Sequence, residues 1–428
     1  MKTNVLVFPC GTEIGLEIYR SLGHSTHVNL VGASSADDHG KFVYPNYSGD
    51  LPYVEEDNFT QNINELVKKH SIDLIFPAHD SVLLKLAQER ERNNLACELI
   101  ASPETTCEIC RSKKKTYQAL EGVVPVPKVY DNADLVQESD YPVFLKPDIG
   151  QGSKGTVKAD SIEDIKFYTK KDPTLLILEH LPGKEYTIDC FTDRNGKLLF
   201  SEGRERLRIS GGISVNSKVI KDDRFKTLAQ AINDKLKLRG VWFFQLKENA
   251  SSELILMEIG PRVAGTMGLA RARGVNLPLL SVFDFLSQDV LIAENSYDVV
   301  IDRALENLYK HNINYAHVYL DFDDLVIYEG KVNPAVMAFV YQCVNKKVKV
   351  HLLTKHRDDL NETLSKYKLT GVFDELIWIS ADKEKHTYIK EKQAIFIDDS
   401  FSERKEVQKN CGIPVFDCHM IEALMEEF

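Results

Sequence analysis

Long apolar runs are missing from this chain of 428 residues, and so are blocks of positive charge. No apolar stretch approaches the length that crosses a bilayer, and no secretory cleavage pattern follows the opening MKTNVLVFPCG. Basic runs stop at Lys113-Lys114-Lys115 and the formal net charge is −11, so nucleic acid and membranes are not expected as partners. Cysteine lacks any paired pattern. The eight are scattered through apolar segments as free buried thiols would be, and the lone Cys107-Glu-Ile-Cys110 has no second pair to complete a zinc site. The first glycine turn, Pro9 to Gly15, is not a full GxGxxG, and no GxxxxGK[ST] phosphate loop occurs. What remains is an ordinary globular composition, 43% apolar and 27% charged, long enough for two or three domains and expected in the cytoplasm.

The first residues alternate strand and helix. NVLVF at 4–8 runs into a glycine turn, Pro9 to Gly15, then the amphipathic LEIYRSL and a second strand, VNLVGAS. A further unit follows: helix 59–69, strand 72–76, then Pro77-Ala78-His79-Asp80 before helix 81–93. This order predicts a doubly wound α/β sheet, with His79 and Asp80 at a strand's C-terminal end, where such sheets bind ligands. Asp80 or Ser81 could equally cap the helix. A helix over 113–121 ends at VVPVP, a boundary.

Phosphate chemistry is suggested next. The strand YPVFLKP carries Lys146 near its end, and Asp148 to Gly155 packs Gly150, Gly152 and Gly155 around Ser153 and Lys154. Such a loop can wrap phosphate oxygens with its N–H groups. Strand 175–179 enters the turn His180-Leu181-Pro182-Gly183, with Glu185 just beyond. Arg204, Arg206 and Arg208 alternate, which predicts one cationic face with an anion over it, or a charged edge strand. VWFFQLK and ELILMEIGPR, joined by the polar ENASS, read as a hairpin. A turn centred between Ser251 and Ser252 pairs Gln245 with Glu258, two oxygen donors suited to Mg²⁺, with Arg262 beyond.

In order and spacing, residues 1 to about 295 resemble the ATP-grasp superfamily, in the branch of carbamoyl-phosphate synthase large subunit, biotin carboxylase and D-alanine–D-alanine ligase. The match runs through SKKKTYQAL, VFLKP, DIGQGSKG, LILEHLPGKEYTID, Gln245, Glu258, Arg262 and RVAGTMGLARARGVNLP. The resemblance implies a pre-ATP-grasp domain at 1–105 and an ATP-grasp α+β domain at 106–300. It implies Lys113 and Lys146 on ATP phosphates, the Gly150–Gly155 loop with Ser153 over them, Glu179 to Leu181 along the adenine, and Glu185 at the ribose. Gln245 and Glu258 would carry Mg²⁺, or Mn²⁺ as its substitute, and Arg262 would steady the transition state. The family's last metal-binding stretch commonly reads Glu-x-Asn-x-Arg. Gly260 stands here in place of the Asn, so one ligand is lost.

A connecting helix is expected over 290–314, with a linker at 301–315, before a third domain at 316–428. There, strand ends carry Asp321 and Asp323, Thr354, and Asp398 with Asp399; Lys383 and Lys385 lie between. One cleft at the C-terminal edge of a parallel sheet could collect them. The segment resembles the haloacid dehalogenase superfamily of Mg²⁺-dependent phosphatases, a Rossmann-like fold. The resemblance implies Asp321 as nucleophile, Asp323 as acid/base, Thr354 as phosphate-binding hydroxyl, Lys383 (or Lys385) as clamp, and Asp321, Asp323, Asp398 and Asp399 around the metal. Leu325 departs from the usual Thr or Val.

Together the resemblances imply an ATP- and Mg²⁺-dependent carboxylate–amine ligase fused to a phosphomonoesterase. Its partners would be a small carboxylate, an amine, ATP and a phosphorylated substrate, with a homodimer among the allowed assemblies. Two other readings remain open. One is a nucleotide-binding regulator with only the phosphatase active, motivated by Gly260. The other is an active ligase with a structural C-terminal module, motivated by Leu325.

Overall fold

The computed structural model describes residues 2–150 and 152–426. The chain divides into two compact units, Met1–Leu305 and Glu306–Phe428. Among the described residues no helix is long and apolar enough to cross a membrane.

The first unit opens with a five-stranded parallel sheet built outward from Thr3–Phe8, which pairs with Val28–Ala33 on one side and Leu74–Pro77 on the other. Val5, Leu6, Val7 and Phe8 are buried, as a central parallel strand covered on both faces requires. Thr12 caps the helix Glu13–Leu22 by accepting from the Gly15 N–H at 3.0 Å. At helix Asp80–Glu91 the cap is neither Asp80 nor Ser81: His79 Nδ1 accepts from the Ser81 N–H. Asp80 is left for another partner.

A four-stranded antiparallel sheet follows, in the order Val129–Tyr130, Leu175–Glu179, Val143–Pro147, Val157–Ala159. Then comes a six-stranded antiparallel sheet whose central strands are Gly240–Glu248, Glu185–Thr192 and Leu198–Ser210. Helix Asp223–Lys235 covers one face, where Ile188, Cys190, Trp242, Phe244, Leu246 and Leu256 form a core with Phe225 and Ile232. Alternation along the strands leaves the opposite face to polar residues.

The expected connecting helix over 290–314 does not form. Val300–Asp302 instead adds an edge strand to the six-stranded sheet, pairing with Asn216–Lys218. The run Val299-Val300-Ile301 explains this, because β-branched side chains favour strand over helix. The first unit therefore reaches past the expected boundary at 300, and Arg303 ties back to Glu13 at 2.7 Å.

The second unit is a five-stranded parallel sheet in the order Glu375–Trp378, Lys349–Thr354, His317–Leu320, Ala394–Ile397, Val415–Phe416. Its inner strands are buried apolar runs. Helices Pro334–Asn345, Leu360–Lys366 and Phe401–Cys411 have caps at Asn333, Asp359 and Ser400. All eight cysteines are free. Cys107 and Cys110 are buried in helix Glu104–Arg111, where burial pushes both thiols up, as structural cysteines.

Candidate functional site

Because Trp242, Phe244 and Leu246 point into the core, Phe243, Gln245 and Lys247 point away from it. Gln245 lies directly opposite Glu258. The expected turn centre is corrected by half a residue. Glu248 pairs with Leu254 and Lys247 with Ile255, so the turn centres on Ser251; a bulge at Met257 then shifts the register. Without that extra residue Met257 would face Gln245 and Glu258 would turn into the core. The bulge is what brings the carboxylate to the cleft.

Two adjoining hollows, of about 170 and about 330 Å³, meet along a border that includes Lys113, Gly150, Gly152, Lys154, Gln245 and Glu258. The smaller adds Phe144, Lys146, Ser153, Glu179, His180, Leu181, Glu185 and Met257. Phe144, Leu181 and Met257 give it apolar walls suited to a planar base. Glu179 points elsewhere, since its carboxylate accepts from the Lys128 N–H at 3.0 Å. Gly155 lines neither hollow and rests against Pro147. Gly152 and Gly212 both have positive φ, and a Cβ on Gly212 would lie 2.1 Å from the Gly152 carbonyl carbon. Only glycine permits that approach of the two loops.

Lys146 is largely shielded, its side chain 12% exposed, with Nζ 4.0 Å from Glu258. Burial brings it down to about 8, partly offset by Glu258 and reinforced by Lys113. Burial also lowers Lys113, whose Nζ donates to the Asp148 carbonyl at 3.2 Å. Asp148 went unsingled in the sequence, yet its carboxylate accepts from Ser112 Oγ and from the Lys114 N–H, pinning the start of helix Lys113–Leu120 to the glycine loop. The Ser112 cap was its only local signal.

The larger hollow is lined by Glu13, His79, Asp80, Arg111, Phe243 and Arg262, among others. Arg262 and Asp80, 182 residues apart, form a bidentate pair at 2.6 and 2.8 Å. Burial would raise Asp80, but Arg262 holds it below the usual carboxylate range. The three alternating arginines do not call for an external anion. Arg204 pairs with Asp189, Arg206 with Glu185 and Gln245, and Arg208 with Asp302. A register shift between Arg206 and Arg208 also breaks their common face. Glu185 accordingly carries Arg206, with Lys247 at 3.8 Å, before any ribose arrives. Arg111 donates to Ser81 Oγ at 3.2 Å and has no carboxylate within ion-pair reach among the described residues.

The missing metal ligand has a structural counterpart. Phe243 lies opposite Gly260, and a Cβ at 260 would meet the Phe243 ring at 2.4 Å. The ring fills the space in which an Asn side chain would stand. Glu258 and Gln245 thus fit one Mg²⁺, whose other ligands would be phosphate and water. Gly260→Asn is expected to destabilise the protein by about 3 kcal/mol through overpacking. In thermal unfolding, adding Phe243→Ala should recover much of that loss; no recovery would show that the ring is not the obstacle.

In the second unit Asp321, Asp398 and Asp399 gather, one oxygen from each lying within 4.8 Å of the others. Asp321 and Asp398 are buried and pushed up by burial, with Lys385 opposing. Two expectations are corrected. The lysine among them is Lys385, not Lys383: Nζ is 2.8 Å from Asp321 and 2.6 Å from Asp398. Lys383 is mostly exposed beside Asp382, while the short turn Lys385–Tyr388 directs Lys385 inward. Asp323 is not in the carboxylate group; it faces His356 at 2.9 Å. Thr354 ends its strand fully buried, its hydroxyl accepting from the His356 N–H. Sequence reading also missed Arg404, which donates to the carbonyls of Asp398 and Asp399 and holds that loop.

Residues 171–304 match the family model "ATP-grasp in the biosynthetic pathway with Ter operon". The biotin carboxylase domain of Hydrogenobacter thermophilus 2-oxoglutarate carboxylase, solved with MgADP and bicarbonate, superposes with a TM-score of 0.58 at 13% identity, over 69% of this chain and 72% of that one. The chain carries the ATP-grasp fold. Staphylococcus aureus N5-carboxyaminoimidazole synthetase with ADP gives 0.58 at 15% identity, over 71% and 82%. Bacillus licheniformis L-amino acid ligase gives 0.52 at 17%, over 67% and 74%. No curated protein matches the chain in sequence.

Proposed function

We propose that the first unit is an ATP-dependent carboxylate–amine ligase and the second a phosphomonoesterase. The observation that carries the first assignment is the shared border of the two hollows, where Lys113, Gln245 and Glu258 face both a base-sized slot and a larger chamber that Arg111 and Arg262 line. A nucleotide in the smaller hollow would put its terminal phosphate at that border. That solved neighbours of the fold hold ADP supports a nucleotide in this chain.

Adenine would lie between Phe144, Leu181 and Met257, against the backbone of Glu179–Leu181. Lys113, Lys146 and the N–H groups of Gly150, Gly152 and Ser153 would hold the phosphates. Mg²⁺ on Glu258 and Gln245 would offset phosphate charge. Arg111 would receive the acid from the chamber side. A carboxylate oxygen attacks the terminal phosphorus, ADP departs, and an acyl phosphate forms. The amine then attacks the acyl carbon, phosphate leaves, and the amine's proton passes to solvent. Arg262, fixed on Asp80, keeps further N–H donors for the charge that develops. The test is a panel of acid–amine pairs with MgATP, read by mass spectrometry for a condensed product matched by ADP and phosphate. Nucleotide bound with no product from any pair would favour the regulatory reading, for which the Phe243 ring over Gly260 is the motive.

Lys146 supplies a pH test. Only the ammonium attracts polyphosphate, and free Lys146 loses its proton near pH 8. ADP affinity in EDTA should be level below that pH and weaken above it, approaching about tenfold per pH unit. Lys146→Arg stays charged and should flatten the curve. A wild-type titration by calorimetry that stays level to pH 9.5 would contradict the assignment.

In the second unit Asp321 would attack phosphorus, Asp323 would move the proton, and Thr354 and Lys385 would hold the phosphate. Mg²⁺ would sit on Asp321, Asp398 and Asp399. An external phosphoester would be the substrate.

A further inference from the structure

The phosphatase assignment leaves His356 unexplained, although both its ring nitrogens are held beside the site. Nδ1 lies 2.9 and 3.0 Å from the two oxygens of Asp323, and Nε2 lies 3.0 Å from Thr363 Oγ1. Phe322 meets the ring edge-on at 5.2 Å, and Trp378 Nε1 donates to the His356 carbonyl at 2.8 Å. The imidazole is 10% exposed, against 50% for the Asp323 side chain. A nearly buried ring thus braces a carboxylate that reaches into solvent.

The Thr363 hydroxyl donates to the Asp359 carbonyl at 2.8 Å. Through Thr363 the far side of the imidazole is tied to the start of helix Leu360–Lys366. On the near side, Nδ1 and Asp323 cannot stand 2.9 Å apart as two bare acceptors. One hydrogen lies between them, whichever atom owns it.

We propose that His356 is a positioning residue: it fixes the Asp323 carboxyl group where it meets the leaving oxygen of the phosphoester. The proposal rests on the phosphatase reading. In the first step Asp321 bonds to phosphorus, the P–O bond to the leaving group breaks, and the departing oxygen takes the proton from Asp323. In the second, water attacks the phosphorus of the aspartyl phosphate, returns a proton to Asp323, and releases Asp321 and phosphate. His356 touches neither phosphorus nor leaving group.

The full-length protein with Mg²⁺ is assayed on two probes. p-Nitrophenyl phosphate releases an anion that needs no proton to leave, whereas glycerol 2-phosphate releases an alkoxide that does. His356→Gln should lower kcat on glycerol 2-phosphate by roughly 10²-fold more than on p-nitrophenyl phosphate, with KM for both little changed. Thr363→Val, a milder change that removes the partner of Nε2, should show the same split at smaller size and guards against a misfolded His356→Gln. A structural role would lower both activities alike, and equal losses, or none, would overturn the proposal while leaving the phosphatase reading intact. Wild-type protein that hydrolyses neither probe would overturn both.

Discussion

Glu258→Ala should reduce MgATP turnover by about 10³-fold while leaving the fold unchanged by circular dichroism. The size follows from position. Glu258 is the carboxylate that a bulge turns out of the core and onto the shared border, opposite Gln245. No side chain at position 260 can replace it, because Phe243 occupies the space beside Gly260. Removing it also strands Lys146, whose carboxylate neighbour at 4.0 Å is then gone. Gln245→Ala should cost less, since a neutral amide oxygen contributes less to a cation and is already shared with Arg206 at 3.2 Å. Steady-state ADP release measures both. A Glu258→Ala protein with wild-type ATP turnover would remove the hairpin from the catalytic site.

Asp321→Asn should abolish phosphatase turnover, a loss of about 10⁴-fold or more, and spare ATP turnover. The amide keeps the size of the side chain but cannot attack phosphorus, and it weakens the oxygen group shared with Asp398 and Asp399. It also removes one of the two carboxylates that hold Lys385 above its usual range despite burial. Each proposed site lies wholly within one compact unit. Glu258→Ala should accordingly leave hydrolysis of p-nitrophenyl phosphate untouched. Hydrolysis surviving in Asp321→Asn would exclude an aspartyl-phosphate intermediate.

What could be read from the sequence was periodic or local. The alternation Val241 to Lys247 marks both the strand and its cleft face, and strand-end Asp321, Thr354 and Asp398 follow from buried runs that stop abruptly. The Gln245–Glu258 pair was reached through a turn centred one half-step off, and the Met257 bulge restored it. Long-range partners left no such trace. Nothing within a window around Asp80 announces Arg262, and three alternating arginines give no sign that Asp189, Glu185 and Asp302 neutralise them. The edge strand Val300–Asp302 was hidden in a polar stretch that only its sheet partner orders. His356 was passed over because its partners lie 33 residues before it and 7 after, and neither interval is a motif.

A crystal structure of the protein with ADP and Mg²⁺ is the most direct test of the nucleotide site. The expected density places adenine between Phe144 and Met257, the phosphates between Lys113 and Lys146, and Mg²⁺ on Glu258 and Gln245. Nucleotide bound outside the border of the two hollows, or Mg²⁺ held without Glu258, would contradict it.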